Sequence, residues 1–405
     1  MHTPCCLYFT HLTLGIIWIY VEMIACSSLV LLLVIGLVSP NPDVDTTWMK
    51  TTLQNYFSKP RHHATHPEYK AEARDFIMKE FKSYGLETHS QRFDTDLVTV
   101  KGVNIIAMSK GKNFGTIEDQ IVGVAAHYDT MRDTPGVDDN GAAVVGMLQA
   151  AKHLAKFTRD FTVVFAAFDF EEWENGDLPQ VACGNLSCGS RKFLSDWVPT
   201  FWSTTPVVKG VVVMDTIFNI QEMPNTQQLP LGLDMLNPGV VKSINSDGKK
   251  GDFIAAIGRA YDSDVLEAFV TSYTALGQPG FELEKINITA LTGPTVTPQQ
   301  FMMFQDFMRS DHYTFWSNGI KAIFLTDTAN FRGYMTVCYH HSCDNLSRMT
   351  DRMIQFLGKT TQAVIGTVNK LAPSTGHVSG AGIPGNNAVL LACLVALYSR
   401  LAMPE

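Results

Sequence analysis

The sequence contains no long run of lysine and arginine in its 405 residues. Acidic residues outnumber basic ones by 39 to 31, which gives a formal net charge of −8. Nucleic-acid binding needs a clustered positive surface, so this composition excludes that class of partner. The sequence also lacks an internal repeat and an interior linker, and 46% of its residues are hydrophobic. These features indicate one large globular domain with a substantial core.

Cysteine is scarce, and four of the eight cysteines lie in apolar segments at the two ends. The other four form two pairs with four residues between the members of each: Cys183 with Cys188, and Cys338 with Cys343. An even number of cysteines in an exported domain predicts disulfides, although the sequence leaves the pairing open. A zinc site built from thiolates is the alternative, and this spacing fits it poorly.

Neither end segment has about 20 consecutive apolar residues, the length that spans a bilayer. Residues 1–39 are nevertheless apolar and almost uncharged, with small residues near Ser39, and predict a secretory signal peptide. An uncleaved signal anchor is the alternative. Residues 376–405 combine small residues, a short spacer and an apolar tail, which is typical of a lipid-anchor signal. A disordered tail that ends in an amphipathic helix is the alternative there.

Both ends therefore predict a protein of the secretory pathway, at the cell surface or outside the cell, with the lysosome also compatible. Membrane attachment through either end is part of this expectation. Three Asn-x-Ser/Thr sites, at Asn185, Asn287 and Asn345, are compatible with export and glycosylation. The globular domain is expected to span residues 40–375.

Within that domain, short apolar runs alternate with helical patterns. "QIVGVAAH" at 120–127, "FTVVFAAF" at 161–168 and "VKGVVVMD" at 208–215 are apolar almost throughout. Strands that are buried on both faces and separated by helices form mainly parallel sheets. The sequence therefore predicts an α/β fold with a central mixed, mainly parallel sheet sandwiched by helices. Residues 220–250 break the pattern and predict an excursion over one face of the kind that shapes pockets.

Several of these runs end in side chains that bind metals. His127 and Asp129 follow one run, Glu171 and Glu172 the next, and Asp215 a third. Ligands of open α/β sheets bind at the carboxyl ends of the strands, so these residues are expected to converge. Two further motifs supply the same chemistry, "GVDDNG" with Asp138 and Asp139 and "CYHHSCDN" with His340 and His341. Imidazole and carboxylate are zinc ligands, and two ions about 3.5–4 Å apart assist hydrolysis.

The ordered set of motifs resembles the co-catalytic di-zinc exopeptidases, which include secreted bacterial aminopeptidases and glutamate carboxypeptidases. The matching motifs span roughly residues 60–370: "HYDT", "GVDDNGAA", "FAAFDFEE", "VVVMD", "SDHYTFWSNGIKAIF" and "YHHSCDN". The resemblance implies two Zn²⁺ ions and a phosphorylase/hydrolase-like fold. It implies the following metal ligands: His127 and Asp215 for one ion, Glu172 and His340 for the other, and Asp139 between them.

The resemblance also implies roles for neighbouring residues. Glu171 would be the general base that activates a zinc-bridging water, and Asp129 would orient His127. Asp311 and His312 match a family motif near the pocket, and Tyr339 precedes the last ligand, so these three are candidates for the substrate pocket. Cys338 and Cys343, which bracket His340, depart from the family pattern.

Hydrolysis of terminal peptide bonds is the function that the resemblance implies, with an aminopeptidase as the leading interpretation and peptides as substrates. A carboxypeptidase is the first alternative, and it would need a basic pocket, for which Arg191, Arg309 and Arg332 are candidates. A glutaminyl cyclase-like transferase is the second, although such relatives usually carry Trp where Tyr339 stands. A non-catalytic ectodomain on the same scaffold is the third.

Overall fold

The computed structural model of the protein describes residues 44–95, 100–172, 188–202 and 207–378. All of the segment predicted to be a signal and most of the predicted tail, together with Cys183 and Asn185, lie outside these ranges. None of the helices in the described ranges is both long and apolar enough to cross a membrane.

The strands of the described residues form one eight-stranded sheet and one two-stranded sheet. Their bounds are as follows: β1 Glu87–Asp94, β2 Lys101–Ser109, β3 Gln120–His127, β4 Phe157–Arg159, β5 Val163–Phe168, β6 Val207–Met214, β7 Phe253–Arg259, β8 Glu282–Ile288, β9 Ala322–Thr326 and β10 Ser374–His377.

The large sheet has the strand order β1-β2-β5-β3-β6-β9-β7-β8. Its centre is parallel, because β5, β3, β6 and β9 pair in the same direction. Strand β2 is antiparallel to β1 and to β5, and β7 is antiparallel to β9. Strand β8 is parallel to β7. The prediction of a mixed, mainly parallel sheet is confirmed.

The α-helices cover both faces of this sheet. Their bounds are as follows: α1 Thr46–Tyr56, α2 Pro67–Ser83, α3 Ala143–Leu154, α4 Cys188–Lys192, α5 Val198–Phe201, α6 Leu233–Leu236, α7 Pro238–Ser246, α8 Ser263–Ala275, α9 Pro298–Met303, α10 His312–Ser317, α11 Met335–Cys338 and α12 Asp351–Leu371. Two separate apolar clusters, one on each face of the sheet, form the core.

The largest contribution to the first cluster comes from α12 and α3, which pack together on one face. Helix α12 has a clear start, since the hydroxyl of Thr350 accepts the backbone N–H of Met353 and so satisfies a donor of the first turn. Residues 220–250 hold no strand of either sheet in the described chain and contain the short helices α6 and α7.

Candidate metal centre

The carboxyl ends of three neighbouring parallel strands hold the charged residues predicted from the sequence. His127 is the last residue of β3, and Asp215 follows the last residue of β6. Glu171 and Glu172 come three and four residues after the end of β5. Because β5 and β6 both pair with β3 in the same direction, these side chains meet at one edge of the sheet.

Two groups of three side chains at this edge are close enough to hold a metal ion. One group is His127, Asp139 and Asp215, and the other is Asp139, Glu172 and His340. Within each group, ligand atoms of the three residues lie within 4.8 Å of one another. The structure therefore brings together all five side chains that the resemblance gives as metal ligands, although they come from five separate segments.

Asp139 belongs to both groups. Its Oδ1 lies 3.5 Å from Nε2 of His127, and its Oδ2 lies 3.4 Å from Nε2 of His340. Nε2 of His127 is also 3.5 Å from Oδ1 of Asp215, while Nε2 of His340 is 3.3 Å from Oε2 of Glu172. One carboxylate thus faces two imidazoles with two different oxygens, which is the geometry of a bridging ligand.

Several atoms at this site that could bind a metal make no hydrogen bond to the described residues. Five buried atoms make no hydrogen bond to any described residue: His127 Nε2, Asp139 Oδ2, Glu172 Oε1, Asp215 Oδ1 and His340 Nε2. Buried polar atoms are normally satisfied, so a cluster of unsatisfied ones needs an explanation. Imidazole nitrogens and carboxylate oxygens at this density match the donor set that zinc accepts. The residues present therefore fit zinc.

The pKa of Asp139 shows how strongly the imidazoles act on it. Burial alone would raise this pKa, since Asp139 is only 2% exposed. Contacts with His127 and His340 outweigh burial and hold the pKa of Asp139 well below its ordinary value. The carboxylate is therefore ionised and available as a ligand at neutral pH.

Glu171 differs from its neighbour, because it belongs to neither group of ligands. Burial raises its pKa well above the ordinary value, and the charges of Asp215, Asp311 and Asp129 add to this effect against the opposing charge of His127. Its backbone N–H donates to Asp129 Oδ1 at 3.3 Å. A carboxyl with a raised pKa next to a metal centre suits proton transfer.

Asp129 organises this part of the site. Its Oδ1 lies 3.5 Å from Nδ1 of His127, whose Nδ1 is also 3.3 Å from the backbone carbonyl of Asp129. Its Oδ2 accepts the backbone N–H of Glu172 at 3.1 Å. One buried carboxylate thus contacts His127, the residue that it is predicted to orient, and also accepts the backbone N–H groups of both glutamates.

A second carboxylate positions Asp139 from the other side. Asp344 accepts the backbone N–H of Asp138 at 2.9 Å and that of Asp139 at 3.0 Å. Asp138 itself turns away from the centre and accepts the N–H of Phe218. Asn140 follows Asp139 through a cis peptide bond, and its side chain donates to the carbonyl of Met214 at the end of β6.

Arg61 has no signal in the sequence that points to this site. It is fully buried and donates to the backbone carbonyls of Tyr128, Pro135 and Gly136, which lie between His127 and Asp139. Burial lowers its pKa to about 10. Gly136 has φ of +61°, and a Cβ there would lie 2.2 Å from the carbonyl oxygen of Asp139, so only glycine fits this turn.

The three candidates for the substrate pocket occupy different places. Tyr339 and Asp215 line an apolar cavity that extends beneath the 220–250 excursion. Asp311 is fully buried near Glu171, and burial raises its pKa to about 7. His312 lies inside the core, stacked on Phe324 with ring centroids 4.3 Å apart. Burial lowers its pKa to about 3, so it is neutral.

The walls of this cavity are mostly apolar. They come from residues 220–250, from strands β7, β8 and β9, from the residues after β9 and from the segment before α10: Leu229, Pro230, Leu233, Ile244, Phe253, Ile257, Ile286, Phe307, Phe324 and Phe331. Arg309 also lines it and donates to Asn330. Arg332 does not line it: this residue is fully buried and donates to the carbonyls of Asn219 and Phe253.

A disulfide closes the loop that carries the last ligand. Cys338 and Cys343 are joined, with His340 between them. His340 has φ of +61°, a conformation that non-glycine residues rarely adopt. Cys188 is also disulfide-bonded.

The fold and the centre together define a class, the zinc-dependent exopeptidases. The Legionella pneumophila aminopeptidase LapA superposes with a TM-score of 0.54 at 14% identity over 81% of this chain and 72% of that one. A Porphyromonas gingivalis glutaminyl cyclase superposes with a TM-score of 0.52 at 16% identity over 81% and 99% of the two chains. A zinc-dependent exopeptidase from Parabacteroides distasonis gives 0.50 at 13% identity over 80% and 98%.

The chain belongs to peptidase family M28, whose model matches residues 104–265 and 251–365. The resemblance drawn from the motifs is thereby confirmed. Among relatives, the uncharacterized protein YfbL of Escherichia coli is 24% identical over 306 residues, 73% of this chain and 78% of its own length. Aminopeptidase YwaD of Bacillus subtilis is 41% identical over 69 residues, which are 17% of this chain and only 15% of YwaD.

Proposed function

We propose that the protein is an aminopeptidase that removes residues from the amino terminus of peptides with the help of two zinc ions. The position of Asp139, whose two oxygens face two different imidazoles, carries the proposal. His127 and Asp215 would hold one ion, Glu172 and His340 the other, and Asp139 would bind both. Zinc held here would supply Lewis-acid polarisation of a peptide carbonyl and would lower the pKa of water.

Glu171 would transfer the protons during hydrolysis. Its raised pKa lets the carboxylate accept a proton from the attacking water and return that proton to the leaving amine. Asp129 accepts the backbone N–H of Glu171, which fixes the backbone that carries this carboxylate. The same carboxylate orients His127, which couples the position of the base to that of a metal ligand.

The charge of the site favours an amino terminus over a carboxyl terminus. Six carboxyl groups lie at or beside the centre: Asp129, Asp139, Glu171, Glu172, Asp215 and Asp311. Acidic groups at this density suit a substrate ammonium group better than a terminal carboxylate. Arg309, the candidate for binding a terminal carboxylate that lines the cavity, already donates to Asn330. The apolar cavity beside Asp215 suits an apolar first side chain.

A glutaminyl cyclase activity is the second candidate, and the fold likeness to glutaminyl cyclases favours it. The residue before His340 is Tyr339, whereas the cyclases usually carry Trp there, and this difference favours the peptidase. A non-catalytic ectodomain fits less well, because all five ligands and Glu171 are present and converge. The carboxypeptidase alternative requires Arg309 to leave its present partner.

We further propose that the protein works in the secretory pathway or outside the cell. The apolar residues 1–39 support this location, and so does the disulfide between Cys338 and Cys343, since disulfides persist in oxidising compartments. One relative, 27% identical over 142 residues, is named a vacuolar membrane protease in Laccaria bicolor.

Blocked peptides test the proposed direction of cleavage. Peptides that begin with Leu, Phe, Asp or Gln would be offered in free, N-acetylated and C-amidated forms to zinc-loaded protein, and product masses followed. An aminopeptidase shortens the free and amidated forms and leaves the acetylated ones intact. Shortening of the free and acetylated forms, with the amidated forms left intact, would identify a carboxypeptidase. Loss of ammonia from peptides that begin with Gln would identify a cyclase. Chelated protein is the control.

A further inference from the structure

A second cluster of acidic side chains lies outside the zinc centre. Asp247 follows α7, Asp252 precedes β7, and Glu282 is the first residue of β8. One oxygen of each lies within 4.8 Å of the others. The parallel pairing of β7 with β8 brings them together, because the N–H of Glu282 donates to the carbonyl of Asp252 at 2.8 Å. We call these three residues the outer acidic cluster.

Asp252 is the residue of this cluster that needs a partner. It is only 6% exposed, and its buried Oδ1 accepts no hydrogen bond from the described residues. The buried Asp262, in contrast, has a counter-ion: it pairs with Arg259 at 2.8 Å, and both side chains are fully buried. A buried carboxylate oxygen without a donor is uncommon in a folded protein. It points to a cation from solution.

The charge balance of the cluster agrees with a divalent ion. Three carboxylates face Lys250, whose Nζ lies 2.6 Å from Oδ1 of Asp247. The buried guanidinium of Arg332 also acts on Asp252, but Asp327 and Asp138 act on it more strongly, so the cluster keeps an excess of negative charge. Glu284 adds a buried carboxyl two residues along β8. Burial, followed by the charges of Asp247 and Glu282, raises the pKa of Asp252 to about 6.

We propose that Asp247, Asp252 and Glu282 bind a divalent cation of the calcium class. All the donors are oxygens, with no imidazole or thiolate among them, and calcium takes six to eight oxygen ligands at flexible positions, several of them water. The partial exposure of Glu282 and Asp247 leaves room for that water. Sites of this kind with few protein ligands bind weakly and suit the millimolar calcium found outside cells.

The bound cation would fix one wall of the apolar cavity. The turn between Asp247 and Asp252 accepts backbone hydrogen bonds from the excursion, since the carbonyl of Lys249 receives the N–H of Thr226 and of Gln227. Gln227 lines the cavity beside Asp215. Calcium would therefore link β8 to the turn that holds the excursion. This inference does not depend on the proposed peptidase activity.

Thermal unfolding of the zinc-loaded full chain tests the site, with calcium chloride as the probe and sodium chloride at matched ionic strength as the reference. Calcium is expected to raise the Tm in proportion to the logarithm of its concentration once it exceeds the Kd, by about 3 °C at tenfold above the Kd. The Asp252→Asn variant should lose this shift. Its Tm without calcium should equal or exceed that of the parent, because the buried charge is gone. Asp234→Asn, an exposed acid on α6, should keep the full shift.

The Glu282→Gln variant provides a second test at an exposed position that the fold tolerates. It should weaken calcium binding at least tenfold in the same titration. Absence of any shift in the parent at about 10 mM calcium, roughly tenfold above the weakest Kd expected for such sites, would overturn the proposal. A shift that survives unchanged in both Asp252→Asn and Glu282→Gln would also overturn it, since the ion would then bind elsewhere.

Discussion

The carboxylate of Asp344 accepts the backbone N–H of Asp139 at 3.0 Å, so the residue that bridges the two groups of ligands is held by a side chain 205 positions further along the chain. Asp344 also follows His340 by four residues and stands directly after Cys343, whose disulfide to Cys338 closes the loop around His340. The position of the central carboxylate is thus tied to the loop that carries the last ligand.

Replacement of Asp344 by Asn should therefore weaken metal binding without removing a ligand. The asparagine side chain keeps one oxygen acceptor, but its NH₂ group faces one of the two backbone N–H groups that Asp344 satisfies. That backbone N–H loses its acceptor, at a cost of about 1–3 kcal/mol. We expect zinc affinity to fall by about 10–100-fold, as with other residues that support metal ligands. Chelator competition measures the affinity. Asp351→Asn, whose side chain is 80% exposed, should leave it unchanged.

Replacement of either of the adjacent glutamates by glutamine should have a different effect. Glu171→Gln should lower kcat by at least about 10²-fold and keep the zinc content, because it removes only the group that transfers protons. Glu172→Gln should lower zinc content first, because Oε2 of Glu172 faces His340 in the ligand group. Metal analysis and kinetics on the same preparations separate the two effects. Equal zinc loss in both variants would contradict the division of roles.

The disulfide between Cys338 and Cys343 should support the metal centre more than the fold. Its two cysteines are separated by only five positions in the sequence, so the disulfide closes a short loop. Its loss should therefore cost about 2 kcal/mol of unfolding free energy or less. The paired variant Cys338→Ala with Cys343→Ser frees the backbone around His340 and should release zinc faster to a chelator. Release at the parental rate would show that packing alone positions His340.

Glu284 should make stability depend on pH. Burial, followed by the charges of Glu282 and Asp252, raises its pKa from 4.5 to about 7. The folded state therefore holds the proton more tightly, and this stabilisation is complete below about pH 4.5 and lost as pH rises through about 7. In calcium-free buffer at pH 8 the Glu284→Gln variant should be more stable than the parent by roughly 1 kcal/mol of unfolding free energy, after allowance for screening by solvent.

At pH 4.5, the ordinary pKa of a glutamate, the same variant should match the parent, because Glu284 is protonated in the folded state. Glu118→Gln, at an exposed position, should show no difference at either pH. A Glu284→Gln variant that is less stable at pH 8 would contradict the assignment of the raised pKa.

The centre of the sheet could be predicted because its strands are buried on both faces and are therefore apolar throughout. β3 has the bounds 120–127 that its sequence indicates, and β6 begins one residue before the predicted run. The edge strands β1 and β8 carry no such signal, since their exposed and buried residues are mixed. Their positions depend on pairing with β2 and β7, which only the folded chain reveals.

The same reasoning explains which site residues could be anticipated. Ligands at strand ends belong to recognisable motifs, and the parallel sheet places them together. Arg61 acts through backbone carbonyls of distant loops, so neither its neighbours in sequence nor its charge indicates a role. The outer acidic cluster depends on the pairing of β7 with β8, and the sequence alone does not place Asp252 beside Glu282.

Zinc stoichiometry, measured by native mass spectrometry on the full chain, tests the central claim most directly. Protein stripped of metal and titrated with zinc should take up two ions, and peptide hydrolysis should reach its maximum only at the second equivalent. The Asp139→Ala variant should lose both the second ion and the activity. Saturation at one zinc ion with full activity, or hydrolysis that survives complete removal of metal, would contradict the account.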